Sequence, residues 1–157
     1  MERSQRGFYI SPAVLIGANS ALLLAVGILF TRKELGFWDG ISITMGAFLL
    51  ALFFLLLRLS HKARQSQQEE KETLWMHNGL YAVIRHPEYT GALSMNFAFL
   101  LIFRTWWLFP VVLFFLWLWH REAKHEEKEM VAKHGDAYRN YLRKTGMFFP
   151  RLFSSRK

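Results

Sequence analysis

Apolar residues along this chain are bunched into four stretches with polar segments between them. Gly7 to Thr31 carries no charged side chain, and neither does Gly40 to Leu57. Tyr89 to Phe103 and Thr105 to Trp119 are two further charge-free runs, split only by Arg104. A helix needs roughly 20 apolar residues to cross about 30 Å of hydrocarbon. The first run is long enough and the second nearly so. The third and fourth reach only about 22 Å each at ~1.5 Å per residue, so they span only by snorkelling, by bilayer thinning, or by dipping in as a pair. The pattern predicts an all-α, polytopic membrane protein with about four transmembrane helices. The last two form a helical hairpin, and a cytoplasmic C-terminal helical extension follows. The whole of 1–157 reads as one membrane domain, with N-terminal spans and a polar loop over 1–78 and a chemistry-bearing core over 79–150.

Punctuating residues set the element boundaries. The first span covers about Tyr9 to Phe30, with Pro12 in its first turn, where a missing N–H costs little. The second covers about Trp38 to Leu59. His61 to Met76, including QSQQEEKE, is strongly polar and reads as an exposed helical extension or loop. The third helix opens at Pro87 and the fourth span ends near Trp119. Arg104, Thr105, Trp106 and Trp107 form the tip between them, the composition of an interfacial anchor. The helix then continues from His120 to Lys133 until Gly135 stops it. A last short helix runs from about Asp136 to Lys144. The closing FFPRLFSSRK mixes apolar and basic residues and suits the bilayer surface.

Charge adds orientation. Of the 20 Lys and Arg, 17 fall on one side of the four spans and only Arg32, Lys33 and Arg104 on the other. The positive-inside rule then places both termini and the middle loop in the cytoplasm. The expected setting is a bacterial inner membrane rather than the endoplasmic reticulum. The net charge of +8 is explained by topology and by attraction to anionic lipid heads; the implied partners are a lipid bilayer and no nucleic acid. The basic start, long apolar run and lack of a small-residue cleavage site read as a retained anchor rather than a removed signal. The chain has no cysteine, so disulfides, thiolate metal sites and a cysteine nucleophile are excluded. The histidines show no metal-ligand spacing, and no metal is expected.

Two polar clusters flank the last apolar pair. In GLYAVIRHPEYTG, Pro87 opens a helix whose first N–H groups and positive dipole end form an anion site. Arg85 and His86 add a fixed charge and a titratable donor just before it. Tyr89 offers a ring and a hydroxyl, and Gly91 allows a ligand or another helix to come close. The plainer alternative is a capped helix with snorkelling Arg and Tyr. In EEKEMVAKHGDAYRNY, Ala123, Glu127, Met130 and His134 share one helical stripe, which turns Glu127 inward. Glu126 lies about 100° around the helix, beside Glu122. A carboxylate at a membrane edge is costly unless it binds something, with ribose hydroxyls, an ammonium or Arg85 as suitable partners. Against this stands an exposed helix salt-bridged through Lys124 and Lys128. Tyr138 and Tyr141 meet on one face, to stack on a flat ring or to pack the tail.

Taken in order, Gly79, Tyr81, Arg85-His86-Pro87-Glu88-Tyr89-Thr90-Gly91, Glu126-Glu127, His134-Gly135, Tyr138, Tyr141 and Pro150 resemble the isoprenylcysteine carboxyl methyltransferase family and its bacterial and archaeal relatives, which are similar to phospholipid methyltransferases. The match covers nearly half the chain, with His134 in place of the usual aromatic. The resemblance implies an S-adenosylmethionine-dependent methyltransferase, with S-adenosylhomocysteine as product and a lipophilic acceptor such as a prenylcysteine-like carboxylate or a lipid amine. It implies cofactor contacts from Tyr81, His86, Pro87, Tyr89, Gly91, Glu126, Glu127 and Tyr138. Arg85, His86 and Glu127 become the candidate catalytic residues, Arg85 as a clamp for an acceptor carboxylate and His86 or Glu127 as a base for an amine or thiol. Two rivals remain: an NADPH-dependent sterol-reductase-like membrane enzyme, whose relatives carry a similar Arg-His-Pro-x-Tyr-x-Gly segment, and a non-catalytic membrane adaptor. Oligomeric state has no sequence signal.

Overall fold

The computed structural model describes residues 11–31, 36–67 and 79–151. Expectations resting on 1–10, on Arg32 and Lys33, on the polar stretch 68–78 and on the tail 152–157 fall outside the described residues. Within them the protein is all-helical: α1 (Pro12–Phe30), α2 (Phe37–Gln67), α3 (Pro87–Phe103), α4 (Leu108–His134) and α5 (Asp136–Lys144), with a 3-10 turn at Gly79–Ala82. No strand occurs among the described residues; one isolated parallel bridge joins Ile84 to Gly146.

Local chemistry explains the boundaries. Ser11 caps α1 by accepting from the Val14 N–H at 3.3 Å, and Pro12 fills the first helical position. Pro87 does the same for α3. α3 ends where Arg104 turns left-handed (φ 53°), its N–H still bonded to Leu100 O. Gly135, at φ 57°, breaks α4 from α5, a conformation that costs glycine little. α2 runs eight residues beyond the apolar stretch, to Gln67, so the polar segment begins as helix.

α1 and α2 are long and apolar enough to cross a membrane. Their outward residues suit lipid: Val14, Ile28 and Leu29 on α1, and Met45, Phe48 and Phe54 on α2, are all exposed. α3 is the buried centre. α2 packs tightly against it in antiparallel sense. Ser42 Oγ donates to Leu101 O at 2.7 Å, Gly46 meets Ala98 O and Ile102, and Phe53 and Leu56 meet Gly91. α1 lies along α3 in the same direction, Ser20 Oγ reaching Met95 Sδ at 3.2 Å and Gly27 receiving the Phe103 ring. α4 turns back over both, with Val112 packing on Met95 and Leu23 and Trp119 on Tyr89 and Leu15. At the far end an ion pair, Arg104 Nη1 to Asp39 Oδ2 at 2.8 Å, ties the start of α2 to the α3–α4 turn.

Candidate functional site

The segment before α3 is fixed by main-chain pairing with the chain after α5. Arg85 N donates to Gly146 O at 2.9 Å, His86 N to Met147 O at 3.1 Å, and Gly146 N to Val83 O at 3.3 Å. The Thr90 hydroxyl adds a bond to Phe148 O at 2.7 Å. These contacts bring the start of α3 under the polar end of α4, which carries Glu126 and Glu127.

The outcome is one charged cluster. Arg85 Nε donates to Glu127 Oε1 at 2.7 Å. His86 lies between the two carboxylates, with Nδ1 3.4 Å from Glu126 Oε2 and Nε2 3.5 Å from Glu127 Oε1. The Nε2 contact falls short of a hydrogen bond and leaves that buried atom without a partner. The Tyr89 hydroxyl donates to Glu126 Oε1 at 2.5 Å. Tyr89's ring stacks on the imidazole, 5.3 Å away and 4° from parallel, and its other neighbour is Trp119 at 4.9 Å. Lys124 Nζ stands 3.7 Å from Glu127 Oε2. Glu127 is nearly fully buried and Glu126 is the more open carboxylate.

Charge is stabilised by this arrangement. Burial opposes an imidazolium at His86, but the contacts with Glu126 and Glu127 outweigh it and raise the group above its ordinary value. Burial likewise opposes charge on Glu127, and the contacts with His86 and Arg85 overcome it and hold the carboxyl below its ordinary value. Tyr138 and Tyr141 are pushed far up, chiefly by burial, and remain neutral phenols at physiological pH.

The sequence-derived residues divide into two groups. Arg85, His86, Pro87, Tyr89, Glu126 and Glu127 converge, and the stripe that turned Glu127 inward is real, with Ala123 fully buried beside it. Gly91, by contrast, faces α2: a Cβ there would sit 3.4 Å from Leu56 and Phe53. Of the two uses foreseen for its missing side chain, the structure displays the close helix. Tyr138 packs on Tyr141 at 5.4 Å, among Met130, Val131 and Leu142, as a tail-packing residue that still feels the Glu127 charge. Tyr81 is buried, and its carbonyl accepts from the Tyr141 hydroxyl at 2.6 Å. Arg85 is more occupied than a free clamp would be, since Nη1 also donates to the carbonyls of Leu142, at 3.2 Å, and Thr145.

Sequence reasoning missed three contributors. Phe148 places its ring 6.2 Å from His86; the apolar-basic tail composition pointed only to a surface role. Trp119 forms the inner wall behind Tyr89. The carbonyls of Leu142 and Thr145 have no side-chain signature at all.

An all-helical chain with two helices fit to cross a membrane and a buried acid–base cluster at the start of its central helix defines a membrane-protein class rather than an activity. The chain belongs to the family described as protein of unknown function (DUF1295), whose model matches residues 3–145. No curated protein and no solved structure matches it.

Proposed function

We propose that this protein is an integral-membrane S-adenosylmethionine-dependent methyltransferase acting on a lipophilic acceptor. In this reading there are four spans, α3 and the apolar half of α4 (up to Trp119) form the membrane hairpin, and the site faces the cytoplasm. The observation that carries it is His86 held between Glu126 and Glu127, groups supplied by two motifs on either side of an apolar hairpin. Its family is loosely linked to methyltransferase-like and steroid-reductase-like membrane proteins.

The residues fit the cofactor's chemistry. Glu126, the more open carboxylate, suits an ammonium or ribose hydroxyls. The unpartnered His86 Nε2 and the first N–H groups of α3 suit a carboxylate. Tyr89 and Phe148 supply ring faces for a flat base. When bound, S-adenosylmethionine supplies a methyl group on a sulfonium, needing no metal. The protein's part is to position the acceptor in line and to exclude water. A His86 imidazolium clasped by two carboxylates is a poor base, which favours a carboxylate acceptor that needs none. Arg85, committed to Glu127 and two carbonyls, then acts by holding Glu127 in place rather than by clamping the acceptor.

A steroid-reductase-like enzyme using NADPH is the second reading, favoured by the same family link. Thermal melting of the purified protein separates the two. Stabilisation by S-adenosylhomocysteine and not by NADPH is expected, and the reverse result overturns the assignment.

A further inference from the structure

α1, α3 and α4 also meet along a seam that the charged cluster does not use. The buried stripe of α1 is Leu15, Asn19, Leu23 and Gly27. Leu15 packs with Tyr89 and Trp119, and Leu23 with Met95 and Val112. Asn19 therefore sits between them, one turn from each, on the face turned to α3 and α4. On α3, Asn96 follows Tyr89 and Ala92 at steps of three and four, on the side that meets Leu15.

Each of the three helices thus contributes one polar side chain, and Asn19, Asn96 and Trp119 are all 0% exposed. Both amide atoms of Asn19, the Asn96 Oδ1 and the Trp119 Nε1 lack hydrogen-bond partners; Asn96 Nδ2 is used on Ala92 O. Unpaired buried polar atoms are costly and rare in folded proteins, and three helices meeting at such atoms is not a packing accident. α1 also lies more loosely on α3 and α4 than α2 does on α3, and its flank opens outward through Leu22 and Leu24.

The unpaired atoms fix the ligand's chemistry. Trp119 N–H and the Asn19 NH2 are donors, and the Asn19 and Asn96 Oδ1 atoms are acceptors. α1 has no charged residue, and α4 has none before Arg121, so a carboxylate or ammonium would be uncompensated there. A ketone would satisfy only the donors. A hydroxyl satisfies both. We propose that this seam binds a lipophilic molecule through a neutral hydroxyl group, received sideways from the bilayer past α1. The proposal holds whichever cofactor the charged cluster takes.

The full chain in lipid nanodiscs, labelled with 15N-tryptophan, gives the test. The Trp119 indole signal is assigned by its loss in Trp119→Phe. Titration with 1-dodecanol is expected to move it saturably, while dodecane and dodecanoate leave it in place and the exposed Trp117 stays unmoved. Asn19→Leu should weaken the dodecanol effect at least tenfold and raise the melting temperature, because it removes an unpaired buried amide. A Trp119 signal insensitive to dodecanol, as a resident water would give, overturns the proposal. So does an equal response to dodecane, or a lowered melting temperature in Asn19→Leu, which would reveal a structural partner for the amide.

Discussion

Arg85 donates through Nε to Glu127 Oε1 at 2.7 Å, across forty-two residues of sequence. The two side chains are only 9% and 7% exposed, and Arg85 Nη1 holds carbonyls at the end of α5. One guanidinium therefore joins the start of α3, the polar end of α4 and the chain after α5. A buried pair adds little over an apolar one, but breaking it strands a charge at about 3–5 kcal/mol. Arg85→Met should lower unfolding stability by that order. Arg85→Met combined with Glu127→Leu should recover much of the loss. Denaturant titration in mild detergent checks this, and a double variant as unstable as the sum of the singles would show that the pair does not act as a unit.

The pH dependence follows from the same cluster. His86 is raised above its model value of 6.5, so its contribution to stability is full below that pH and is lost as pH rises through the folded value. Glu127 is lowered from 4.5, so its contribution is full above that pH and is lost as pH falls through the folded value. Melting temperature should thus show a plateau centred on mildly acidic pH with a falling limb on each side. His86→Gln should flatten the alkaline limb and spare the acid one. Melting curves across the pH range settle it, and an unchanged alkaline limb would remove His86 from the account.

Much of this was legible before the structure. Pro87 and Gly135 mark helix ends because ring closure and positive φ are local properties, and the last helix falls at Asp136–Lys144 as its pattern predicts. Glu127's inward turn was readable from the Ala123–Met130 stripe for the same reason. The meeting of His86 with Glu126 and Glu127 was expected only through an ordered motif, since spacing alone cannot tell how an apolar run folds back. The true load on Arg85 was hidden because its extra partners are main-chain carbonyls, which every residue owns. Gly91's use was ambiguous because a missing side chain looks the same whether a ligand or α2 fills the space. Phe148 was invisible because its position depends on the pairing of residues 83–86 with 146–147.

The two glycines on the α2–α3 contact should respond differently. A Cβ at Gly46 would lie 2.7 Å from Ile102 and 2.9 Å from the main-chain oxygen of Ala98. Backbone cannot yield as a side chain can, so Gly46→Ala should cost about 1–3 kcal/mol by overpacking. At Gly91 the nearest atoms stand at 3.4 Å, an ordinary contact, and Gly91→Ala should cost under about 1 kcal/mol, partly offset by better helix propensity. Comparing the two unfolding midpoints checks the ranking. A Gly91→Ala variant that is stable yet fails to bind cofactor would restore the ligand-side role for this residue.

Cofactor affinity should depend on the open half of the cluster. Glu126 accepts from Tyr89 at 2.5 Å and faces His86 at 3.4 Å, while its side chain keeps 22% of its surface exposed. Glu126→Gln keeps the shape and removes the charge that an ammonium would seek. Tyr89→Phe keeps the ring and frees the carboxylate from the phenol. On the proposed reading, Glu126→Gln and His86→Ala each weaken S-adenosylhomocysteine binding tenfold or more, about 1.4 kcal/mol. Tyr89→Phe has a smaller effect, because the stacking face survives. Gly46→Ala serves as the control, less stable but unchanged in affinity, since it touches only the far end of the α2–α3 contact. Isothermal calorimetry gives all four values. Equal affinity in the Glu126 and His86 variants would take the cofactor away from this cluster, whereas a loss matched by Gly46→Ala would trace the effect to folding.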